Sequence, residues 1–207
     1  MLHLQTILPD TLELLKRLSA QPEMQEMRLV GGTSLALQYG HRQSVDLDFF
    51  GKYTVSQEEI LAMIERIGHY KLRNRTGNIL QLIVEGIMVD IVDYSRYPWL
   101  DEPVCYEGLA LASPKDIFAM KINAIEGRGS RKDFIDIYLL LQHFSLEELL
   151  SSYSQKYPNY SLFRALLSLT YFDDAENEAM PKMFIPTPWE EMKSEIIQAV
   201  RRYQSQS

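Results

Sequence analysis

The sequence predicts an α/β (α+β) fold, with a mixed sheet flanked by helices over residues 1–112 and a helical region over 113–207. Three observations carry this. Short apolar runs bounded by glycine alternate with helical stripes in the first half. Three strand-like runs then follow one another between residues 70 and 94. After Pro114 every long pattern has helical spacing.

Taken in order, residues 9–20 form a first helix, opened by Pro9 and Asp10, with Leu12, Leu15 and Leu18 on one stripe. Residues 27–30 (MRLV) read as a strand that stops at Gly31-Gly32. Thr33 or Ser34 is expected to cap a short helix that runs to Tyr39 and ends at Gly40. Residues 45–50 (VDLDFF) form the next strand, with Val45, Leu47 and Phe49 alternating with Asp46, Asp48 and Phe50. Ser56 and Glu59 have capping-box spacing at the head of a helix over 56–67. A meander follows over 70–75, 79–84 and 88–94, turning at Thr76-Gly77-Asn78 and Glu85-Gly86. Residues 108–112 add one further strand. Helices are expected over 114–126, 131–142, 145–156, 160–171 and 188–204, with an acidic, proline-bearing loop over 173–188.

Composition sets bounds on function. With 46% hydrophobic and 24% charged residues the chain reads as an ordinary globular protein. A net charge of -7 argues against nucleic-acid binding through a broad basic face. An acidic site still accepts a phosphate-bearing substrate when divalent cations lie between carboxylates and phosphates. The lone Cys105 excludes an intrachain disulfide, and four scattered histidines do not make a zinc site. There is no signal-peptide pattern and no run near the roughly 20 apolar residues that span a bilayer, so a cytoplasmic location is expected.

Asp46 and Asp48 are the most informative pair. Residues i and i+2 of a strand share a face, and two carboxylates side by side repel. An Asp-x-Asp alone also fits a solvent-exposed face. Its setting adds weight, because Gly31-Gly32-Thr33-Ser34 ends one strand and opens a helix. Glycines permit close backbone approach, and a helix N-terminus favours a phosphate. Asp90 sits between Val89 and Ile91, where an unpaired charge is costly, so it should face a metal, a partner or water. If its strand adjoins that of Asp46 and Asp48, three carboxylates can surround two Mg²⁺ or Mn²⁺ ions roughly 3.5–4 Å apart. Asp93 points to the other face or lies at the strand end. Arg42 is either a phosphate contact or a structural partner of Asp46. Lys121, Ile125 and Arg128 share one helical face, and Asp133 and Asp136 are at i, i+3 on the next helix. Those aspartates either anchor the cations, act as a base, or belong to a surface salt-bridge lattice.

The run GGTSLALQYGHRQSVDLDFF, with the later Asp90 strand, resembles the DNA polymerase beta-like nucleotidyltransferase superfamily. More closely, the chain resembles the AbiEii/AbiGii toxin-type nucleotidyltransferases, and SPKDIFAMKINAIEGRGSRKDFIDIYLLL fits that family's second block. The likeness covers roughly residues 27–142. It implies a nucleotidyltransferase core in which Gly31, Gly32, Thr33 and Ser34 bind nucleotide phosphate, with Thr33 where a serine is usual. It implies Asp46 and Asp48 as the metal pair and Asp90 as the third acidic position. Lys121 matches the lysine that reaches phosphates. Asp133 and Asp136 match the acidic positions of the last block, with Arg128 and Arg131 beside them. The implied activity moves a nucleotidyl group from an NTP to an acceptor hydroxyl of RNA, such as tRNA, or of protein. The implied setting is a toxin with a cognate antitoxin, or an abortive-infection system. Two other readings fit the same residues, a kinase-like phosphotransferase and a non-catalytic nucleotide-binding module.

Overall fold

A computed structural model describes residues 1–206. The chain divides into two compact units, Met1–Pro98 with Glu102–Ala112, and Trp99–Asp101 with the chain from Ser113 onward.

The first unit is built on a mixed seven-stranded sheet. Its strands are β1 (Met27–Leu29), β2 (Leu47–Gly51), β3 (Tyr70–Arg75), β4 (Ile79–Val84), β5 (Ile87–Asp93), β6 (Val104–Tyr106) and β7 (Leu109–Leu111), in the order β3-β4-β5-β2-β1-β7-β6. β2 runs parallel to β5, and β1 parallel to β7; the other neighbours are antiparallel. The helices are α1 (Pro9–Ser19), α2 (Gly31–Tyr39) and α3 (Gln57–Ile67). Leu14, Leu15 and Leu18 of α1 and Ile60, Met63 and Ile64 of α3 share one core cluster with Leu47, Phe49, Leu80, Leu82, Val89 and Ile91 of the sheet. Side chains alternate across a strand. The residues between those apolar ones, Asp48, Gln81 and Asp90, therefore fall on the opposite face, and all three are half-buried.

The second unit is helical: α4 (Pro114–Gly127), α5 (Arg131–Leu141), α6 (Leu146–Lys156), α7 (Leu162–Leu169) and α8 (Trp189–Gln206). Ile117, Phe118, Ile122, Phe134, Ile137, Leu149, Tyr153, Met192 and Ile196 are buried in it. Ser56 and Ser145 each accept from the backbone N–H three residues on, while Glu59 and Glu148 return the bond, so α3 and α6 both start in full capping boxes.

The α/β expectation holds, with differences of detail. α2 begins at Gly31, so neither Thr33 nor Ser34 caps it; both are buried inside its first turns. The reason is the sharp exit from β1, where Gly31 takes φ +67° and lets the helix start at once. Asp46 lies just before β2 rather than within it, and Val45 is 50% exposed instead of joining the core. β6 had no sequence expectation. It is three residues long and exposed or half-buried, so it carries no apolar alternation. α4 ends at Gly127, and Arg128 is already extended (φ −153°, ψ 102°), which takes it off the face of Lys121 and Ile125.

Candidate active site

The carboxylates meet where β1 hands the chain to α2. Val30 N–H donates to the Asp48 carbonyl (2.8 Å), which ties the end of β1 to β2. Gly31 follows, and a Cβ built on it would lie 2.5 Å from Asp48 Oδ2. The bare backbone at this position thus makes room for the Asp48 carboxylate. At Gly32 a Cβ would collide with the guanidinium of Arg42. Arg42 is 2% exposed and donates to the Gln43 carbonyl (3.1 Å). A buried guanidinium is thereby set against the positive end of α2. Arg42 thus packs against Gly32 at the head of α2.

Thr33 hydrogen-bonds to Ser44 Oγ (2.9 Å) and donates to the Asp46 carbonyl, fixing the chain on the approach to Asp46. The Ser34 hydroxyl accepts from Gln38 Nε2 (3.1 Å). The Thr33 hydroxyl therefore braces the approach to the aspartates, whereas that of Ser34 bonds within α2.

Asp48 and Asp90 are register partners on the parallel strands β2 and β5. Asp90 Oδ2 accepts from Gln81 Nε2 (2.9 Å), whereas Oδ1 is buried with no hydrogen-bond partner. Burial pushes the Asp90 carboxyl above its ordinary range; the Gln81 hydrogen bond opposes this, the nearby Asp46 charge adds to it, and Arg73 opposes it weakly. Asp93 is three strand pairs further along, opposite Gly51 of β2 and away from Asp48.

These residues suit a hard divalent cation. All three donors are carboxylate oxygens, and an orphaned buried acceptor is an incomplete site. Among the described residues, no three Asp, Glu, His or Cys side chains are already closed into a metal-binding group. That is compatible with Mg²⁺, which commonly binds through one or two carboxylates and keeps water and substrate phosphate as its other ligands.

The helical unit carries a separate ionic cluster. Lys121 Nζ lies 2.7 Å from both Asp133 Oδ1 and Asp136 Oδ2, and all three residues are buried. Ser130 Oγ donates to Asp133 Oδ2 (2.6 Å). The two aspartates thus anchor the lysine, one of the roles the spacing left open. Arg128 is exposed and does not join Lys121 on a helical face. Arg131 donates to the carbonyls of Ala175 and Glu176 and lies over the Trp189 ring, so it braces the 173–188 segment. Sequence reasoning missed Gln81, Asn74 and Arg73; a polar residue between Leu80 and Leu82 was the signal available for Gln81.

A family model described as nucleotidyl transferase AbiEii toxin, type IV TA system, matches residues 13–205. The chain belongs to this family. A relative, an uncharacterised protein of Aquifex aeolicus, is 34% identical over 181 residues, covering 84% of this chain and 86% of that protein. Among solved structures, the chain is similar in fold to JHP933 of Helicobacter pylori (TM-score 0.57, 18% identity, 97% of this chain and 94% of that one). It is also similar to MenT4, a nucleotidyltransferase toxin of Mycobacterium tuberculosis (TM-score 0.58, 16% identity, 93% and 82%). A third likeness is to ANT(2'')-Ia, solved with adenylyl-2''-tobramycin (TM-score 0.59, 14% identity, 74% and 100%). The AbiEii assignment makes this protein a nucleotidyltransferase, in agreement with the fold and activity that its motifs imply. No helix among the described residues is long and apolar enough to cross a membrane.

Proposed function

We propose that this AbiEii-type protein transfers a nucleotidyl group from an NTP to an acceptor hydroxyl, using Asp46, Asp48 and Asp90 with Mg²⁺ or Mn²⁺. The acceptor hydroxyl releases its proton to water as its oxygen bonds to the α-phosphorus, the α–β bridge breaks, and pyrophosphate leaves. The metal supplies charge neutralisation of the phosphates and of the attacking and leaving oxygens. The protein's part is placement. Gly31 and Gly32 bring backbone N–H groups at the head of α2 close to a phosphate, next to Asp48. Arg42 adds fixed positive charge at that point. Asp48 and Asp90, paired across β2 and β5, present oxygens to one side of the sheet.

The single observation behind this reading is the buried, partnerless Oδ1 of Asp90 one strand from Asp48. An apolar strand keeps such an atom only where something absent from the chain completes it. The setting we infer is that of the family: a toxin whose acceptor is RNA or protein, working in the cytoplasm and countered by an antitoxin.

Asp46→Ala is expected to abolish transfer while the circular dichroism spectrum and thermal midpoint stay near those of the parent. Incubation with α- and γ-labelled NTP reads the reaction class. Label transferred only from the γ position would replace the proposal with phosphotransfer, and undiminished α-label transfer by Asp46→Ala would remove the site.

A further inference from the structure

Four register partners form one polar row across the sheet. Asn74 of β3 stands opposite Gln81 of β4, Gln81 opposite Asp90 of β5, and Asp90 opposite Asp48 of β2. Their side chains are joined in sequence: Asn74 Nδ2 donates to Gln81 Oε1 (3.2 Å), and Gln81 Nε2 donates to Asp90 Oδ2 (2.9 Å). Donor and acceptor alternate along this chain: the Asp90 carboxylate, an acceptor only, takes the NH2 end of the Gln81 amide, and Asn74 supports that orientation by donating to the other end. Turning the amide over would set two acceptors against each other at Asp90 and two donors against each other at Asn74.

The row depends on an irregularity in β3. Leu72 pairs with Leu82, but the next partner of β4, Gln81, is met by Asn74 and not by Arg73. In an unbroken ladder Arg73 would stand opposite Gln81, and Asn74 would fall on the core face opposite Leu80. The extra residue is a β-bulge, a device that re-aims side chains beside functional sites. It also leaves Arg73 on the carboxylate side, with Nη1 3.2 Å from Sδ of Met88, two residues before Asp90 on the same strand.

We infer that Gln81 and Asn74 are positioning residues for Asp90: they occupy Oδ2 and hold the carboxylate so that Oδ1 is the oxygen offered to a divalent cation. Outer-sphere hydrogen bonds of this kind orient a ligand before the metal arrives. The inference rests on the proposed role of Asp90 as a metal ligand and goes beyond it, since nothing in that role requires β4 or the edge strand.

The test is affinity for Mn²⁺ alone, measured by calorimetry or electron paramagnetic resonance without nucleotide. Gln81→Met keeps the length of the side chain and removes the donor. It should weaken Mn²⁺ binding by about 10-fold, the lower end for loss of such a partner. Asn74→Ala, on the exposed edge strand, should weaken it in the same direction by less, with little change in thermal midpoint. Asp90→Ala is the reference and should weaken binding the most. If Gln81→Met binds Mn²⁺ as the parent does while Asp90→Ala does not, positioning is overturned and Asp90 remains a ligand. If Asp90→Ala also binds as the parent does, the ligand role itself is wrong and the inference falls with it. A purely structural role for Gln81 would lower the thermal midpoint and leave Mn²⁺ affinity unchanged, which also overturns it.

Discussion

Burial lifts the Asp90 carboxyl above its ordinary range more strongly than Gln81 lowers it. The folded protein therefore holds this proton more tightly than the unfolded chain does, and stability from this group falls as pH rises. The penalty is absent below the unfolded value of about 3.9, grows as pH climbs through the raised folded value, and is constant above it. Asp90→Asn removes the charge and keeps the shape. Its metal-free thermal midpoint is expected to exceed that of the parent by a few degrees at pH 7, with the gain fading towards pH 4, while nucleotidyl transfer is lost. Equal midpoints at pH 7 would mean that the carboxylate is not strained in the metal-free fold. Asp46, Asp48 and Asp90 were legible in the sequence because each interrupts or borders an apolar alternation. Asn74 was not, since its face is set by a bulge, and a register slip leaves no local mark in YKLRNR.

At the scale of elements, the join between β1 and α2 does most to shape the site. Gly31 combines a left-handed φ of +67° with Asp48 Oδ2 at 2.5 Å from where a Cβ would stand. Gly31→Ala should cost about 1–2 kcal/mol from the backbone conformation. It should also push the Asp48 carboxylate aside, lowering transfer by about 100-fold, as expected for a displaced catalytic group. Gly86→Ala separates these effects, because Gly86 has φ +84° with open space around it. That variant should lose similar stability and keep full activity. Matched activity losses in the two variants would show that backbone strain, and not the Asp48 contact, accounts for the effect. Most elements were readable from the chain: the capping boxes at Ser56 and Ser145 and the turns at Gly77 and Gly86 fix their ends locally. The start of α2 was not readable. Thr33 and Ser34 are good caps by residue type, yet their hydroxyls bond within the fold, to Ser44, Asp46 and Gln38, once the glycines have begun the helix.

Across the whole molecule, stability is expected to divide as the contacts do. The segment Trp99–Asp101 lies between stretches of the sheet unit in sequence but belongs to the helical one. Leu100 N–H donates to Asp116 Oδ1 (3.1 Å), and Asp101 N–H approaches Oδ2 (3.4 Å). Asp116 also accepts from the hydroxyl of Ser113, the N-cap of α4 (2.8 Å), and pairs with Lys156 Nζ (2.7 Å), which sits 4.6 Å from the Trp99 ring. Nothing in the residues WLD signals this attachment, because it is made by backbone groups to a carboxylate 15 or 16 positions away. Asp116 and Lys156 are fully buried, so removing one charge strands the other at a cost of about 3–5 kcal/mol. Asp116→Ala should therefore speed amide exchange at Leu100 and Asp101 together with α4 and α6, leaving β2, β4 and β5 protected as in the parent. Hydrogen exchange read by mass spectrometry resolves these segments. If the sheet amides lost protection to the same degree, the two units would unfold as one, and the Asp116–Lys156 pair would support the whole chain.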